Sequence, residues 1–65
     1  MKILSTIKEL SQQYKVPIRL MAEPDDTIKI YVDNEQVNYL TVNESTTEDF
    51  VCLCLRKCVE IYFRR

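Results

Sequence analysis

Three cysteines, Cys52, Cys54 and Cys58, lie close together in the segment CLCLRKC of this 65-residue chain. Thiolates bind zinc and take part in disulfide exchange, so a metal site shared between chains and a redox pair are both candidate functions. On a helix, Cys54 and Cys58 share a face, but Cys52 points about 160° away from Cys54. Structural zinc takes four ligands, and the chain has no histidine to complete the set. We therefore predict that the cysteines are small buried apolar side chains, with no metal or cofactor.

Acidic side chains are the second group that could do chemistry. The predicted order of elements places the first turn of the sheet and the start of the last helix at one end, which we call the acidic pole. Its six members are Glu23, Asp25, Asp26, Glu44, Glu48 and Asp49. Turn and helix-cap chemistry accounts for such residues, and the alternatives are a docking surface for a basic partner or a mimic of nucleic acid. A catalytic carboxylate pair has no support from residues that would build a pocket.

Two absences from the composition exclude several classes of enzyme. The chain has no glycine, so it has no glycine-rich phosphate loop and no dinucleotide-binding fingerprint. It has no histidine, so it has no histidine general base and no histidine metal ligand. Its net charge of −1 provides no general attraction to phosphate backbones or acidic membranes. We predict a protein that is not an enzyme.

The spacing of apolar residues predicts the elements that position these groups. Residues 3–14 repeat at helical spacing. Residues 16–22, 28–32 and 37–42 alternate as strands do, and turns rich in proline, aspartate and asparagine separate them. The order predicts an α+β fold, α-β-β-β-α, in which two helices cover one face of a three-stranded antiparallel meander. The whole chain, 1–65, is predicted to be a single domain.

The third strand is ambiguous. If Leu40 and Val42 lie on the core face, strict alternation places Val37, Tyr39 and Thr41 on the opposite face.

The last helix carries more apolar surface than one sheet can cover. Its apolar residues fill an arc of about 220°, whereas a helix on a sheet needs a stripe of little more than 100°. One edge of the arc is predicted to face the sheet and the first helix: Phe50, Cys54, Cys58 and Ile61. The other edge is predicted to form a homodimer interface: Cys52, Leu55, Val59, Tyr62 and Phe63. The first helix with the C-terminal tail, or a different partner protein, are the alternative covers.

Charges at the two ends of this helix predict the direction of the dimer. Ser45 with Glu48, or Thr46 with Asp49, caps its start. Two arginines, Arg64 and Arg65, follow at its end, where the helix dipole favours cations. An antiparallel pair of these helices brings the acidic start of one toward the basic end of the other.

The sequence also predicts a location. The first ten residues, MKILSTIKEL, differ from a secretory signal because polar and charged residues interrupt the apolar stretch. No apolar run approaches the roughly 20 residues that span a bilayer. We expect a cytoplasmic protein with reduced thiols and no contact with a membrane.

Two function classes follow. The first is an interaction or regulatory protein that binds another protein through the acidic pole, or through the open sheet face bearing Met21, Tyr31 and Tyr39. The alternative is a nucleic-acid-binding module, in which Arg19 and Lys29 accompany the tyrosines of that face and the rings stack on bases.

The order of elements resembles that of the double-stranded-RNA-binding domain over nearly the whole chain. That family carries a lysine-rich start on its last helix, which binds phosphates across a groove. The matching positions here are Thr46, Thr47, Glu48 and Asp49, which would repel phosphate and argue against RNA binding. In its size, its MK start and its acidic character, the chain is also similar to very short α+β proteins of bacteriophages and prophages of Gram-positive bacteria. Some of those proteins inhibit host proteins, which implies an interaction role.

Overall fold

The computed structural model describes residues 2–64, which form two helices and three strands. In chain order they are helix α1 (Lys2–Tyr14), strands β1 (Ile18–Ala22), β2 (Thr27–Val32) and β3 (Glu35–Thr41), and helix α2 (Glu48–Arg64). The strands form one antiparallel sheet in the order β1-β2-β3. Both helices pack on the same face of the sheet, which confirms the predicted fold.

The core lies between the sheet and the two helices. Alternate residues of β1 and β2 point toward the helices, because successive strand side chains lie on opposite faces. The most deeply buried members of the core are Leu10 of α1, Ile18, Ile30 and Val32 of the sheet, and Leu55 and Val59 of α2. Helix α1 packs over β1, and helix α2 packs over β2 and β3.

Among the described residues, four adopt the left-handed backbone that glycine favours, in a chain without glycine. Asp33 (φ 54°) and Asn34 (φ 66°) form the two-residue turn between β2 and β3, where both positions need positive φ. Asp26 (φ 60°) closes the turn between β1 and β2. Lys15 (φ 60°) ends α1, and its N–H donates to the carbonyl of Ser11 at 2.8 Å. Aspartate and asparagine tolerate this backbone better than lysine does, so Lys15 is the strained position.

Strand β3 contains a bulge that changes which side chains reach the core. The register shifts between Ile30 and Tyr31 of β2, so Val37 of β3 has no direct partner. The extra residue resets the alternation of the strand, and Val37 packs against the core. The strict alternation that would place Val37 on the same face as Tyr39 therefore does not hold, which resolves the ambiguity of this strand.

Thr47 caps the start of α2, because its Oγ1 accepts the N–H of Phe50 at 3.1 Å. The residues before it form a tight turn. Thr46 Oγ1 accepts the N–H of Asn43 at 3.0 Å, and the N–H of Ser45 donates to Asn43 Oδ1 at 2.7 Å. The predicted caps are therefore wrong, because the observed cap, Thr47, lies two residues after Ser45 and one residue after Thr46.

Replacing Lys15 with glycine should stabilise the fold. The left-handed conformation costs an ordinary residue roughly 1–2 kcal/mol, and the greater freedom of glycine in the unfolded chain offsets about half of that. We expect Lys15→Gly to raise the free energy of unfolding by about 0.5–1 kcal/mol, measured by urea denaturation. The control, Lys8→Gly within α1, should lower it by about 1 kcal/mol. A loss of stability in Lys15→Gly would contradict the strain assigned to this position.

Candidate functional site

The edge of α2 predicted to form a homodimer interface lies against the core. Leu55 and Val59 are completely buried, and Cys52 is 9% exposed. Tyr62 packs against the same core, and Phe63 stacks on the tyrosine that ends α1, with ring centroids 4.5 Å apart. The placement of an interface on this edge is wrong for Leu55, Val59 and Cys52, which α1 and the sheet cover within one chain, whereas Phe63 remains 40% exposed.

The opposite edge of α2 faces outward beside β3, and we call it the outer stripe: Phe50, Cys54, Cys58 and Ile61. Phe50 is 51% exposed and Ile61 is 53% exposed, and the two cysteines are partly buried. Leu53, at 54% exposure, extends the stripe toward solvent. The prediction that this edge faces the sheet and α1 is therefore wrong for Phe50 and Ile61, whereas Cys58 does pack against the core beside β3.

The seam between α1 and α2 fixes this rotation of α2. At its floor, the hydroxyl of Thr6 donates to Cys52 Sγ at 3.4 Å. Where both helices begin, Lys2 Nζ lies 2.7 Å from Asp49 Oδ1. The hydrogen bond and the charge of Asp49 raise the pKa of Lys2 above its ordinary value. These contacts turn the Cys52 side of α2 toward α1 and leave the outer stripe on the far side.

Glu9 and Arg56 form a second ion pair across the seam, with 2.6 Å between Oε2 and Nη1. The hydrogen bond from the guanidinium lowers the pKa of the Glu9 carboxyl, and the pKa of Arg56 is raised in turn. Glu9 follows Lys2 by seven residues, and Arg56 follows Asp49 by seven, so the helices run parallel. Exposed ion pairs contribute little stability, so they mainly align the two helices.

The three cysteines are free thiols. Cys52 is buried as predicted, whereas Cys54 and Cys58 are only partly buried. Within residues 2–64, no three histidine, cysteine, aspartate or glutamate side chains are grouped as metal ligands would be.

Strand β3 is an edge of the sheet, and the outer stripe of α2 lies beside it. Asn38 connects the two elements, because its Nδ2 donates to Cys58 Sγ at 3.4 Å. Through Oδ1 the same side chain accepts the N–H of Tyr39 at 2.8 Å. A crevice of about 80 Å³ between strand and helix is lined by Val37, Asn38, Cys58, Ile61 and Tyr62. We call this side of the molecule, made of the outer stripe, Asn38 and Tyr39, the β3 flank.

Half of the predicted acidic pole is engaged within the fold. Glu23 lies 3.0 Å from Lys29 Nζ, and this contact raises the pKa of Lys29. Glu48 Oε2 accepts the N–H of Ile3 at 3.3 Å, and Asp49 holds the ion pair across the seam. These three carboxylates therefore hold the elements of one chain together.

The remaining carboxylates of the acidic pole face solvent. Asp26 and Glu44 line one open cleft of about 600 Å³ with Val42, Asn43 and Ser45. Asp25 is exposed in the neighbouring turn. The structure thus brings Asp26 and Glu44 together, as the sequence predicts for the ends of these elements.

The other end of α2 also differs from the prediction. Arg64 pairs with Glu60 on the same helix at 2.7 Å, and Arg65 lies outside the described residues. Glu48 and Asp49 contact α1 within the chain, so the predicted attraction between helix ends of two chains would compete with these contacts and stays a prediction.

The open sheet face carries the basic and aromatic residues predicted for it. The guanidinium of Arg19 lies 5.0 Å from the ring centroid of Tyr31, at a distance typical of a cation–π contact. Tyr39 is 61% exposed and Met21 is 41% exposed. Lys29, on the central strand of this face, is held by Glu23, so Arg19 is the freer of the two cations.

Comparisons with protein-family models, with curated proteins and with solved structures find no match for this chain. Neither helix within residues 2–64 combines the length and the apolar character needed to cross a membrane.

Core packing by α2 can be tested with a matched pair of leucines. Leu55 is completely buried and Leu53 is 54% exposed on the same helix. We expect Leu55→Ala to lower the free energy of unfolding by about 2–5 kcal/mol, because it leaves a cavity. Leu53→Ala should change it by less than about 0.5 kcal/mol. Equal effects in urea denaturation would show that α2 is rotated differently.

The pKa of Glu9 provides a second test of the seam. Its carboxyl titrates below the ordinary range because of Arg56, so Arg56→Gln should return the pKa toward the usual value, measured by NMR titration. A carboxyl with a lowered folded pKa contributes stability above its unfolded pKa and loses it as pH falls through the folded value. The wild type should therefore lose more stability than Arg56→Gln on acidification. An unchanged Glu9 pKa in Arg56→Gln would contradict the parallel seam.

Proposed function

We propose that the protein is a non-enzymatic interaction or regulatory protein of the cytoplasm, which acts through protein–protein contacts and works as a homodimer. The observation that carries this proposal is the exposure of Phe50, Leu53 and Ile61, each about half exposed along one helix. Monomers rarely expose apolar patches larger than a few hundred Å², and exposed apolar patches of about that size often mark interaction sites. A second protein surface, in the first place another copy of this chain, is the simplest cover.

The use of the polar groups supports an interaction role. Cys52 and Thr6 contact each other at the helix seam, and Asn38 contacts Cys58 beside β3. Glu23, Glu48 and Asp49 hold elements of the chain together. These cysteines and carboxylates, which are side chains able to take part in chemistry, therefore have structural roles. The exposed apolar surface remains available for recognition of a partner.

Two surfaces remain for a different partner protein. The open sheet face offers Met21, Tyr31 and Tyr39, and the acidic pole offers the exposed carboxylates of its turns, which suit a basic partner. The small size and acidic character that the chain shares with short phage and prophage proteins fit a regulator that binds a host protein.

The contact between Arg19 and Tyr31 favours a second candidate, a nucleic-acid-binding module that uses the open sheet face. Cations interleaved with exposed aromatic rings bind single strands through phosphate contacts and base stacking. Binding to random oligonucleotides at low salt, lost in Tyr39→Ala, would support this candidate. No binding at low salt removes it, because the electrostatic part of such binding is strongest there.

The homodimer is testable by sedimentation equilibrium. We expect the apparent mass to rise with concentration from 7.7 kDa toward twice that value. High salt should leave the association largely intact, because apolar burial rather than charge supplies the affinity. A constant monomer mass up to high micromolar concentration would contradict the homodimer.

A further inference from the structure

The position of α2 over the sheet determines how close the α2 helices of two chains would lie if their β3 strands paired. Helix α2 packs over β2 and β3, so its axis projects between these two strands. Paired strands lie about 4.8 Å apart, so a two-fold axis just outside β3 would lie about 5 Å from the projected axis of α2. The two copies of α2 would then be about 10 Å apart, close to the 8–10 Å at which packed helices interdigitate.

Backbone register shows that β3 can accept such a strand. Val42 donates to the carbonyl of Asp26, and Leu40 pairs with Ile28, so even-numbered residues in this half of β3 bond to β2. The N–H and C=O of Tyr39 therefore face outward from the sheet.

A two-fold axis at Tyr39 also passes close to the middle of α2. Helix α2 runs antiparallel to β3, since Asn38 contacts Cys58 while Thr41 and Phe50 line one cleft. The level of Tyr39 thus corresponds to the middle of α2, near residues 55 and 56. A two-fold axis there places Phe50 opposite the partner's Ile61, which are the two most exposed members of the outer stripe.

We infer that a second copy of this chain binds the β3 flank, with β3 pairing antiparallel to the partner's β3 and the outer stripes packing across the same two-fold axis. The product is a six-stranded sheet with four helices on one face. This inference rests on the proposed homodimer and specifies its interface.

A specific interface would need both the packing of the outer stripes and the pairing of the β3 strands, because neither buries enough area alone. Phe50 and Ile61 are about half exposed, so each would contribute roughly 100 Å². These two alone give about 400 Å² over two chains, below the roughly 1,000 Å² expected of a specific interface. Tyr39, at 61% exposure, and the backbone of β3 raise the total to about 800 Å², the size of a weak dimer that forms at high concentration.

Charge does not oppose this pairing. Edge strands are usually protected by charged residues, proline or a β-bulge, and β3 has one charged residue, Glu35, and the bulge at Val37. Both features precede Asn38, so pairing centres on the regular half of the strand that follows. With an axis at Tyr39, and allowing for the extra residue of the bulge, Glu35 falls opposite the partner's Val42 or Asn43, so no like charges meet on the strands. On the helices, Lys57 falls opposite the partner's Cys54 and can extend its ammonium into solvent.

In the single chain, the side chain of Asn38 occupies the outward-facing N–H of β3. Its Oδ1 accepts the N–H of Tyr39 at 2.8 Å, which is the donor that the partner strand needs. The side chain must therefore turn away when the strands pair, and Asn38 sets the affinity of the dimer. Asn38→Ala removes the competing acceptor and should tighten the dimer about threefold or more.

The first experiment measures the dimer dissociation constant by sedimentation equilibrium. We expect Phe50→Asp and Ile61→Asp each to weaken the dimer by roughly tenfold or more, because each buries a carboxylate in an apolar contact. The control is Leu4→Asp, at a residue 63% exposed on α1. It should leave the constant unchanged, and circular dichroism should show all three variants folded.

The outcomes separate this inference from the proposed function. A wild-type dimer that neither variant weakens overturns the β3 flank as the interface and leaves the homodimer standing. A wild type that stays monomeric overturns both.

The second experiment reads the strand pairing by amide hydrogen exchange in the wild type and in Asn38→Ala. The Tyr39 amide should gain protection as concentration rises, and Asn38→Ala should reach the protected state at lower concentration. A dimer in which Tyr39 protection does not depend on concentration would overturn the strand pairing.

Discussion

The rotation of α2 about its own axis is the constraint on which the rest of the molecule depends. Leu55 and Val59 point into the core, and the contact between Thr6 and Cys52 holds the adjoining side of the helix against α1. Because the apolar arc of α2 is about twice as wide as one packing face, covering one edge leaves the other exposed. The exposure of Phe50 and Ile61 is therefore a consequence of how the core is filled.

Small size makes this arrangement costly for a single chain. A domain of this length buries only about 60% of the surface of its unfolded chain, so its core supplies limited stability. Apolar side chains along one helix, next to an unpaired strand edge, offer additional burial once a second surface is present. The ion pairs of the seam add alignment and little net stability, because they are exposed.

Much of the fold follows from the sequence, because periods of 3.6 and 2 distinguish helices from strands and the turns carry aspartate, asparagine and proline. The orientation of α2 does not, since an arc of about 220° has two plausible inner edges and only packing against α1 selects one. The bulge at Val37 also has no local signal, as the neighbouring residues fit a regular strand. Asn38 is missed for a related reason: its role arises from contacts with Cys58 and Tyr39.

The most direct measurement of the central claim is an isotope-filtered NMR experiment on a mixture of labelled and unlabelled chains. It detects contacts between chains and separates them from contacts within one chain. If the second copy binds the β3 flank, the ring of Phe50 on one chain should show cross-peaks to the methyl groups of Ile61 on the other. A dimer whose contacts between chains involve other surfaces, with none between Phe50 and Ile61, would contradict the account.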